Sequence, residues 1–327
     1  MRIYREGDAA YLKGRPVAVI GYGNVGRSLA LNLRDSGVAV LVGNLLSDEY
    51  ARTARADGFE VHQIPEAAEL AEVVVVALPD DVMPEVYRTE VLPALHAGKA
   101  LALTSGFPLA FGLIPMPPDD VDVVLFAPKL VGPAIRDRYL AGRGYAAVVG
   151  VVRDATGNAL NAALALAAAA GVFRPGGFAV EARAEEEALA DLLGEHVLRA
   201  ALLAALEAAA EEMARRGVPK ELIALELFAS GEIAELLGLM STLGPQGALK
   251  RVSPADAYGV LTRWRKYLAP LRRIAGRAAE EVADGRFARE LALERQAGYP
   301  VLNASWRIFS SAEINQAAAA LRALLRQ

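Results

Sequence analysis

The chain has 327 residues, of which 54% are hydrophobic and none is cysteine. This length allows two domains, and the apolar content argues against disorder. The net charge of −4 offers no basic surface for a nucleic-acid partner. The absence of cysteine excludes disulfides and thiolate metal sites and fits a reducing compartment.

The first predicted element is an apolar strand, Val17–Ile20, that ends in a Gly-x-Gly-x-x-Gly turn. An amphipathic segment follows and stops at Gly37. In a dinucleotide-binding unit, Gly21 permits the turn, Gly23 lets the backbone approach a pyrophosphate, and Gly26 lets the helix pack on the strand. A turn of purely structural importance is the alternative. The predicted cofactor-binding residues of this turn are Gly21, Tyr22, Gly23, Asn24, Val25 and Gly26.

Residues 1–180 alternate short β-rich runs with helical segments, which is typical of βαβ units. Several runs are apolar without alternation, as in parallel strands covered on both faces. We therefore predict an α/β domain built on a Rossmann-type, doubly wound parallel sheet. Its predicted strands are Val17–Ile20, Val38–Val42, Val73–Leu78, Ala100–Leu103, Val121–Phe126 and Ala146–Val152.

A change of character near residue 175 predicts a second domain, residues 181–327. The junction is Arg174–Gly177, and no strand is predicted after it. Proline and glycine separate the helical segments, so we expect an all-helical domain. Its predicted helices are Ala184–Arg216, Pro219–Met240, Pro254–Asp284, Phe287–Gln296 and Ser311–Arg326.

No targeting or membrane segment is predicted. The first residues, Met1–Asp8, lack an apolar signal core, and the most apolar later stretch, Ala162–Phe173, is too short to cross a bilayer. We therefore expect a soluble, cytoplasmic protein without a membrane partner.

Motifs along nearly the whole chain resemble those of the ketol-acid reductoisomerase family in its short form. The resemblance implies a Rossmann-type domain followed by a helical domain that is knotted in the family. It also implies an intertwined homodimer, in which each active site takes residues from both chains. The motifs are Val17–Gly23, Leu31–Gly37, Leu78–Asp80, Ser105–Phe107, Ala127–Lys129 with Arg136, Asp191–Glu195, Ala257–Gly259 and Ala297–Ala304.

The family's reaction uses two Mg²⁺ ions, which hold the vicinal oxygens of a 2-hydroxy-3-keto acid while an alkyl group migrates; NAD(P)H then delivers hydride. Carboxylates suit Mg²⁺. The resemblance assigns Asp191 and Glu195, at i and i+4 on one helix face, to the first ligand pair. From the residues alone, the alternative is a solvated acidic stripe in which Glu195 pairs with Arg199.

The second ligand pair departs from the family pattern. Glu226 matches its first glutamate, but Ser230 stands where the second belongs. Counted back from Ser253, which matches the serine that binds the substrate carboxylate, Glu232 is the second glutamate. Glu226 and Glu232 lie on different faces of a helix unless it is bulged. We therefore expect an incomplete two-metal site, with Mg²⁺ binding weakened or lost.

The family's active-site histidine is also missing, because Ala110 replaces it. Lys129 is retained at the carboxyl end of a predicted strand, where α/β folds bind ligands. We interpret Lys129 as the cation and proton donor at the atom that gains charge as hydride arrives, with an ordinary surface lysine as the alternative. Four further cofactor-binding residues come from the matched motifs: Leu78, Pro79, Asp80 and Gly106.

The loop after the second predicted strand indicates the cofactor. Where the family presents an arginine and serines to the 2′-phosphate of NADP, this chain has Leu45, Asp48 and Tyr50. A carboxylate repels that phosphate and accepts a hydrogen bond from a free 2′-hydroxyl, so we predict NAD(H) over NADP(H). Asp48 as a helix N-cap is the alternative, and Arg52 is a residue that could restore NADP binding.

Together these observations favour a ketol-acid reductoisomerase-like oxidoreductase that reduces a C=O or C=N group of a small acid and has lost the isomerisation. One alternative is a genuine, divergent, Mg²⁺-dependent ketol-acid reductoisomerase of branched-chain amino-acid biosynthesis. The other is a non-catalytic NAD-binding protein. The candidate catalytic residues are Lys129, Asp191, Glu195, Glu226 and Ser253.

Overall fold

The computed structural model describes residues 1–325. They group into two compact units, a first unit Met1–Ala190 and a second unit that begins at Asp191. The first unit is α/β and the second is helical, as predicted. The predicted junction, Arg174–Gly177, falls inside the first unit because a further strand follows it.

A nine-stranded sheet runs through the first unit. Its strands are β1 (Ile3–Tyr4), β2 (Val17–Ile20), β3 (Val40–Gly43), β4 (Val61–His62), β5 (Val73–Val76), β6 (Ala100–Leu103), β7 (Asp122–Pro128), β8 (Ala146–Arg153) and β9 (Phe178–Glu181). Their order in the sheet is β1-β9-β8-β7-β6-β5-β2-β3-β4. The six strands from β7 to β4 are parallel, which confirms the doubly wound core.

The sheet continues beyond β7 with strands of mixed direction. Strand β8 is antiparallel to β7, β9 is parallel to β8, and β1 is antiparallel to β9. The expectation of no strand after the junction is therefore wrong at Phe178–Glu181. This short segment is only partly buried, and it forms a strand because β1 and β8 supply hydrogen bonds on both sides, which the local sequence does not reveal.

Seven helices of the first unit flank the sheet, and an eighth, α8, begins in the first unit and ends in the second. They are α1 (Asn24–Asp35), α2 (Glu49–Ala56), α3 (Ile64–Leu70), α4 (Met83–Val86), α5 (Phe107–Ala110), α6 (Gly132–Leu140), α7 (Ala159–Ala169) and α8 (Ala184–Leu193). The side chains of β2 alternate between two hydrophobic clusters, one on each face of the sheet. Val17 and Val19 belong to the first cluster, and Ala18 and Ile20 belong to the second. The non-alternating apolar runs therefore reflect burial on both faces.

The second unit is built from helices that pack around a small core. Helices α9, α10 and α15 meet at Ala210, Ile223 and Ala317. The segment Pro300–Ser310, which was not predicted as a helix, forms α14, and Arg326 of the last predicted helix lies outside the described residues. The helices are α9 (Ala200–Arg215), α10 (Lys220–Ala224), α11 (Glu232–Leu249), α12 (Pro254–Ala283), α13 (Arg286–Gln296), α14 (Pro300–Ser310) and α15 (Glu313–Leu325).

Two π-helical segments interrupt the predicted helices of this unit, Gly194–Arg199 after α8 and Leu225–Ala229 after α10. Short π-helical segments widen a helix by one residue and change which side chains share a face. Among residues 1–325, we find no helix with the length and apolarity needed to cross a membrane.

A buried tyrosine connects the glycine turn to α2. Tyr22 donates its hydroxyl to Asp57 Oδ2 at 2.9 Å, and Arg27 of α1 donates to both Asp57 oxygens at 2.7 and 3.0 Å. These hydrogen bonds, led by those from Arg27, hold the pKa of Asp57 below its usual range. Burial, followed by the hydrogen bond to Asp57, raises the pKa of Tyr22. The cluster therefore holds α1 against the end of α2.

We expect Asp57→Asn to lower the free energy of unfolding by about 1 kcal/mol at neutral pH. The folded pKa of Asp57 lies below its unfolded value of about 3.9. The stabilisation is therefore present above that value and is lost as pH falls through the folded pKa. Urea unfolding across this acidic range should show the difference between variant and wild type shrinking with falling pH. Asp137→Asn, which changes an exposed carboxylate, is the control; equal losses in both variants would contradict the assignment.

Candidate functional site

The glycine turn after β2 has the geometry that a dinucleotide-binding turn requires. Gly21 has a φ of +91°, which favours glycine, and a Cβ at Gly26 would overlap the carbonyl oxygen of Gly21. At Gly23 a Cβ would meet no atom within 4 Å. Packing therefore explains Gly21 and Gly26, whereas Gly23 leaves open space at the N-terminus of α1, where a pyrophosphate would bind.

The other residues predicted for this turn divide by exposure. Asn24, the first residue of α1, is exposed, and Val25 is half-buried. The Tyr22 side chain is buried against Phe59, with ring centroids 5.7 Å apart. Tyr22 can therefore contribute only its backbone to a cofactor, and its side chain supports the turn from the core side.

Two further turns lie at the same edge of the sheet, because β2, β5 and β6 are parallel neighbours. Leu78, after β5, lies against the glycine turn: a Cβ at Gly21 would be 2.8 Å from its Cδ2. Ser105, after β6, donates its hydroxyl to Asp80 Oδ2 at 3.1 Å. Pro79, between Leu78 and Asp80, is exposed. The residues predicted from separate motifs thus adjoin one another where α/β folds bind ligands.

Lys129 follows β7 at this edge and forms an ion pair with Glu187 of α8. Its Nζ donates to Glu187 Oε1, and Glu187 Oε2 accepts the backbone N–H of Gly106 at 2.7 Å. The Glu187 side chain is 3% exposed and that of Lys129 is 30% exposed. The Lys129 side chain is thus fixed by a buried carboxylate while it remains partly exposed to solvent, as a proton donor requires.

Residue 106 must be glycine for α8 to pack this closely against it. A Cβ there would overlap the carbonyl oxygen of Ala184 and lie 2.7 Å from Glu187 Oε2. Glu187 itself was missed from sequence, where it is one of the three adjacent glutamates Glu185–Glu187. The sequence does contain one signal for Glu187. It lies four residues before Asp191, just as Asp191 lies four residues before Glu195, so in a regular helix the three share one face.

The loop after β3 contains the residues that bear on cofactor choice. Asp48 is the N-cap of α2, since it accepts the Ala51 N–H at 2.7 Å, and its two oxygens also accept from Asn44 Nδ2 at 3.0 and 3.1 Å. Leu45 and Tyr50 are exposed. The capping role that was the alternative for Asp48 is therefore present, and its negative charge still lies at the end of β3.

Arg52, the residue that could restore NADP binding, is directed toward the backbone of this loop. Its Nη1 lies 3.5 Å from the carbonyl oxygen of Ser47. Arg55 similarly donates to Leu46 at 3.1 Å. Both guanidinium groups are exposed, so their charges are largely screened by solvent.

In the second unit, one member of the first predicted metal-ligand pair, Glu195, forms an ion pair with Arg199. Asp191 is half-buried near the end of α8, and Glu195 lies in the π-helical segment Gly194–Arg199. Arg199 Nη1 donates to Glu195 Oε1 at 2.9 Å, with side chains 67% and 41% exposed respectively. This is the geometry of the solvated pair that formed the alternative interpretation.

The second predicted ligand pair is divided by a break in the helix. Glu226 is exposed on the π-helical segment Leu225–Ala229, Gly231 has a φ of +83°, and Glu232 begins α11. The bulge that pairing would require is present, but the chain turns between the two glutamates. Ser253, predicted to bind a substrate carboxylate, is the exposed N-cap of α12 and accepts the Asp256 N–H at 3.2 Å.

The residues present do not fit two Mg²⁺ ions within one chain. No three His, Asp or Glu side chains of residues 1–325 converge into a possible metal site. Arg199 forms an ion pair with Glu195, and Ser230 has no carboxylate. Within one chain, the described residues therefore do not bring together the carboxylate oxygens that two Mg²⁺ ions would share.

Two family models together match nearly the whole chain. "Acetohydroxy acid isomeroreductase, NADPH-binding domain" matches residues 11–176, and "Ketol-acid reductoisomerase, C-terminal domain" matches residues 184–327. The ketol-acid reductoisomerases (NADP(+)) of Pyrobaculum calidifontis and Methanocaldococcus jannaschii are 38% and 36% identical, over 99% and 94% of this chain and 98% and 93% of theirs. The structure of an NADH-preferring ketol-acid reductoisomerase from an uncultured archean has a TM-score of 0.92 and 32% identity, covering both chains fully.

We expect Glu187→Gln to lower the free energy of unfolding by about 2 kcal/mol, because it replaces the buried ionic partner of Lys129 with a neutral amide. Turnover should fall about tenfold or more, since Lys129 loses its fixed orientation. Glu186→Gln, an exposed neighbour on the same turn, should change stability by less than about 0.5 kcal/mol. Chemical denaturation and steady-state kinetics measure both; a Glu187→Gln enzyme that matches Glu186→Gln would refute a positioning role for Glu187.

Proposed function

Because the chain belongs to the ketol-acid reductoisomerase family, we propose that it is a nicotinamide-dependent reductase that acts on the C=O or C=N group of a small acid without the metal-driven isomerisation. Family membership makes it an oxidoreductase that uses NAD(P)H. The observation that carries the finer proposal is the contrast between its two halves. The glycine turn and the Lys129–Glu187 pair are intact, whereas Glu195 is paired with Arg199 and Ser230 replaces a carboxylate.

A bound nicotinamide would supply hydride to the carbon of the C=O or C=N group. The oxygen or nitrogen of that group then takes the electron pair of the broken π bond and needs a proton. Lys129 donates this proton from Nζ, and its charge stabilises the developing anion before the transfer. Glu187 and the Gly106 N–H hold Lys129 in place, so the ammonium need not reorganise during the step.

A genuine ketol-acid reductoisomerase is the second candidate function. The full-length similarity to ketol-acid reductoisomerases (NADP(+)) favours it. In this case the second copy of an intertwined homodimer would complete the site, bringing its Glu226 and Ser253 to the Asp191 and Glu195 of the first copy. The dimer and a cytoplasmic location are part of our proposal for either function.

For the cofactor, we propose NADH in preference to NADPH. Asp48 places a carboxylate at the end of β3, where dinucleotide-binding folds bind the adenosine ribose. Leu45 offers no cation to a 2′-phosphate. A solved relative at 32% identity is an NADH-preferring enzyme, while the family model and several relatives are named for NADPH or NADP(+), so relatives of this chain differ in cofactor preference.

The decisive experiment is turnover of 2-keto and cyclic imino acids with NADH, in EDTA and with added Mg²⁺. We expect comparable rates in both, and a loss of about 10²-fold or more in kcat/KM for Lys129→Ala. Lys13→Ala, an exposed lysine, controls for loss of surface charge. Turnover of 2-acetolactate that strictly requires Mg²⁺ would instead establish the second candidate, and an unchanged Lys129→Ala enzyme would favour a non-catalytic protein.

We expect Asp48→Ser to raise the ratio of kcat/KM for NADPH over NADH about five- to tenfold. Serine keeps the helix cap, and the lost repulsion at about 4 Å in water is worth about 1 kcal/mol. Glu49→Gln removes a charge from the adjacent residue without touching the cap and should leave the ratio nearly unchanged. A wild-type enzyme that prefers NADPH would overturn the cofactor proposal.

A further inference from the structure

Helix α6, which begins three residues after Lys129, packs against the first residue of α1. A Cβ at Gly132 would lie 2.7 Å from the backbone carbon of Asn24, so the two helix N-termini are in direct contact. Ser28, one turn further along α1, donates its hydroxyl to the carbonyl oxygen of Gly132 at 2.8 Å. Ser28 is 4% exposed, so this hydrogen bond is shielded from water and strengthened by its low-dielectric surroundings.

The contact between α1 and α6 continues through two more turns. Asn32 is fully buried; its Nδ2 donates to the carbonyl oxygen of Ala170 at 3.1 Å, and its Oδ1 accepts from Arg136 at 2.9 Å. Arg136 also donates to Asp35 at 2.6 Å. Buried polar groups are costly when unpaired, so these pairings fix the relative register of the two helices.

From these contacts we propose that Ser28 is a positioning residue that couples the seating of the dinucleotide to the segment bearing Lys129. The glycine turn leads directly into α1, which carries Ser28. Gly132, the partner of Ser28, is three residues from Lys129. Ordering the N-terminus of α1 around a pyrophosphate therefore orders the start of α6 through the Ser28–Gly132 hydrogen bond. The inference rests on the proposed function in one respect, that the glycine turn binds NADH.

Hydrogen–deuterium exchange of the full-length protein, with and without saturating NADH, tests this coupling. In the wild type we expect NADH to slow exchange at least threefold in residues 22–28 and also in residues 129–136. In Ser28→Ala and in Ser28→Cys, residues 22–28 should keep this protection and residues 129–136 should lose it. The Kd of NADH should change by less than about twofold, because the phosphate-binding turn is untouched, whereas kcat should fall.

Ser36→Ala is the matched control. Ser36 is the exposed C-cap of α1; its hydroxyl donates to the carbonyl oxygen of Ala169 at 2.7 Å and lies 2.8 Å from the Tyr139 hydroxyl, near the far end of α6. It is about 12 Å further along the helix axis than Ser28. This variant should keep both protected segments, because it leaves the Ser28–Gly132 hydrogen bond in place. Protection of residues 129–136 that survives in both Ser28 variants, that vanishes in Ser36→Ala, or that is absent from the wild type would overturn the proposal. No NADH protection at residues 22–28 would refute dinucleotide binding itself.

Discussion

The buried ion pair between Lys129 and Glu187 is the interaction on which the candidate site depends. A carboxylate that is 3% exposed must have its oxygens satisfied, and Glu187 achieves this with the Lys129 ammonium on one side and the Gly106 N–H on the other. The pair thereby joins α8 to the ends of β6 and β7. A Cβ at Gly106 would overlap the carbonyl oxygen of Ala184, so glycine at this position permits the close approach of α8 to the end of β6.

Parallel strands make this arrangement useful for chemistry. In the block from β7 to β4 every strand ends at the same edge, so the glycine turn, the Asp80–Ser105 contact and Lys129 adjoin one another although they are far apart in sequence. The antiparallel β8 supplies the hydrogen bond that fixes Lys129 itself, because the Lys129 N–H donates to Ala146 at 2.9 Å. The parallel strands thus place the candidate site residues at one edge, and β8 holds the backbone of Lys129 by a hydrogen bond.

The second unit differs from the pattern that its family implies at the positions that matter for metal binding. Arg199 pairs with Glu195 one helical turn earlier, and residue 230 is a serine where the resemblance implies a carboxylate. Fewer unpaired carboxylates weaken the attraction of a surface for divalent cations, which is the basis of the proposal that the isomerisation is lost. In the function that we propose, hydride transfer depends on the first unit, where the glycine turn and Lys129 lie.

The amino-acid sequence by itself determined the α/β sheet, the helical second half, the need for glycine at residues 21 and 26, and the family, because these depend on local periodicity, turn residues and motif order. It also indicated Lys129 as a candidate, from its position after a strand, and the pairing of Glu195 with Arg199 as the alternative to a metal-ligand role, from helical spacing. Only the tertiary structure decided the partner of Lys129, the strand at Phe178–Glu181 and the burial of Tyr22. Each of these depends on hydrogen bonds between segments distant in the chain, which no local pattern encodes.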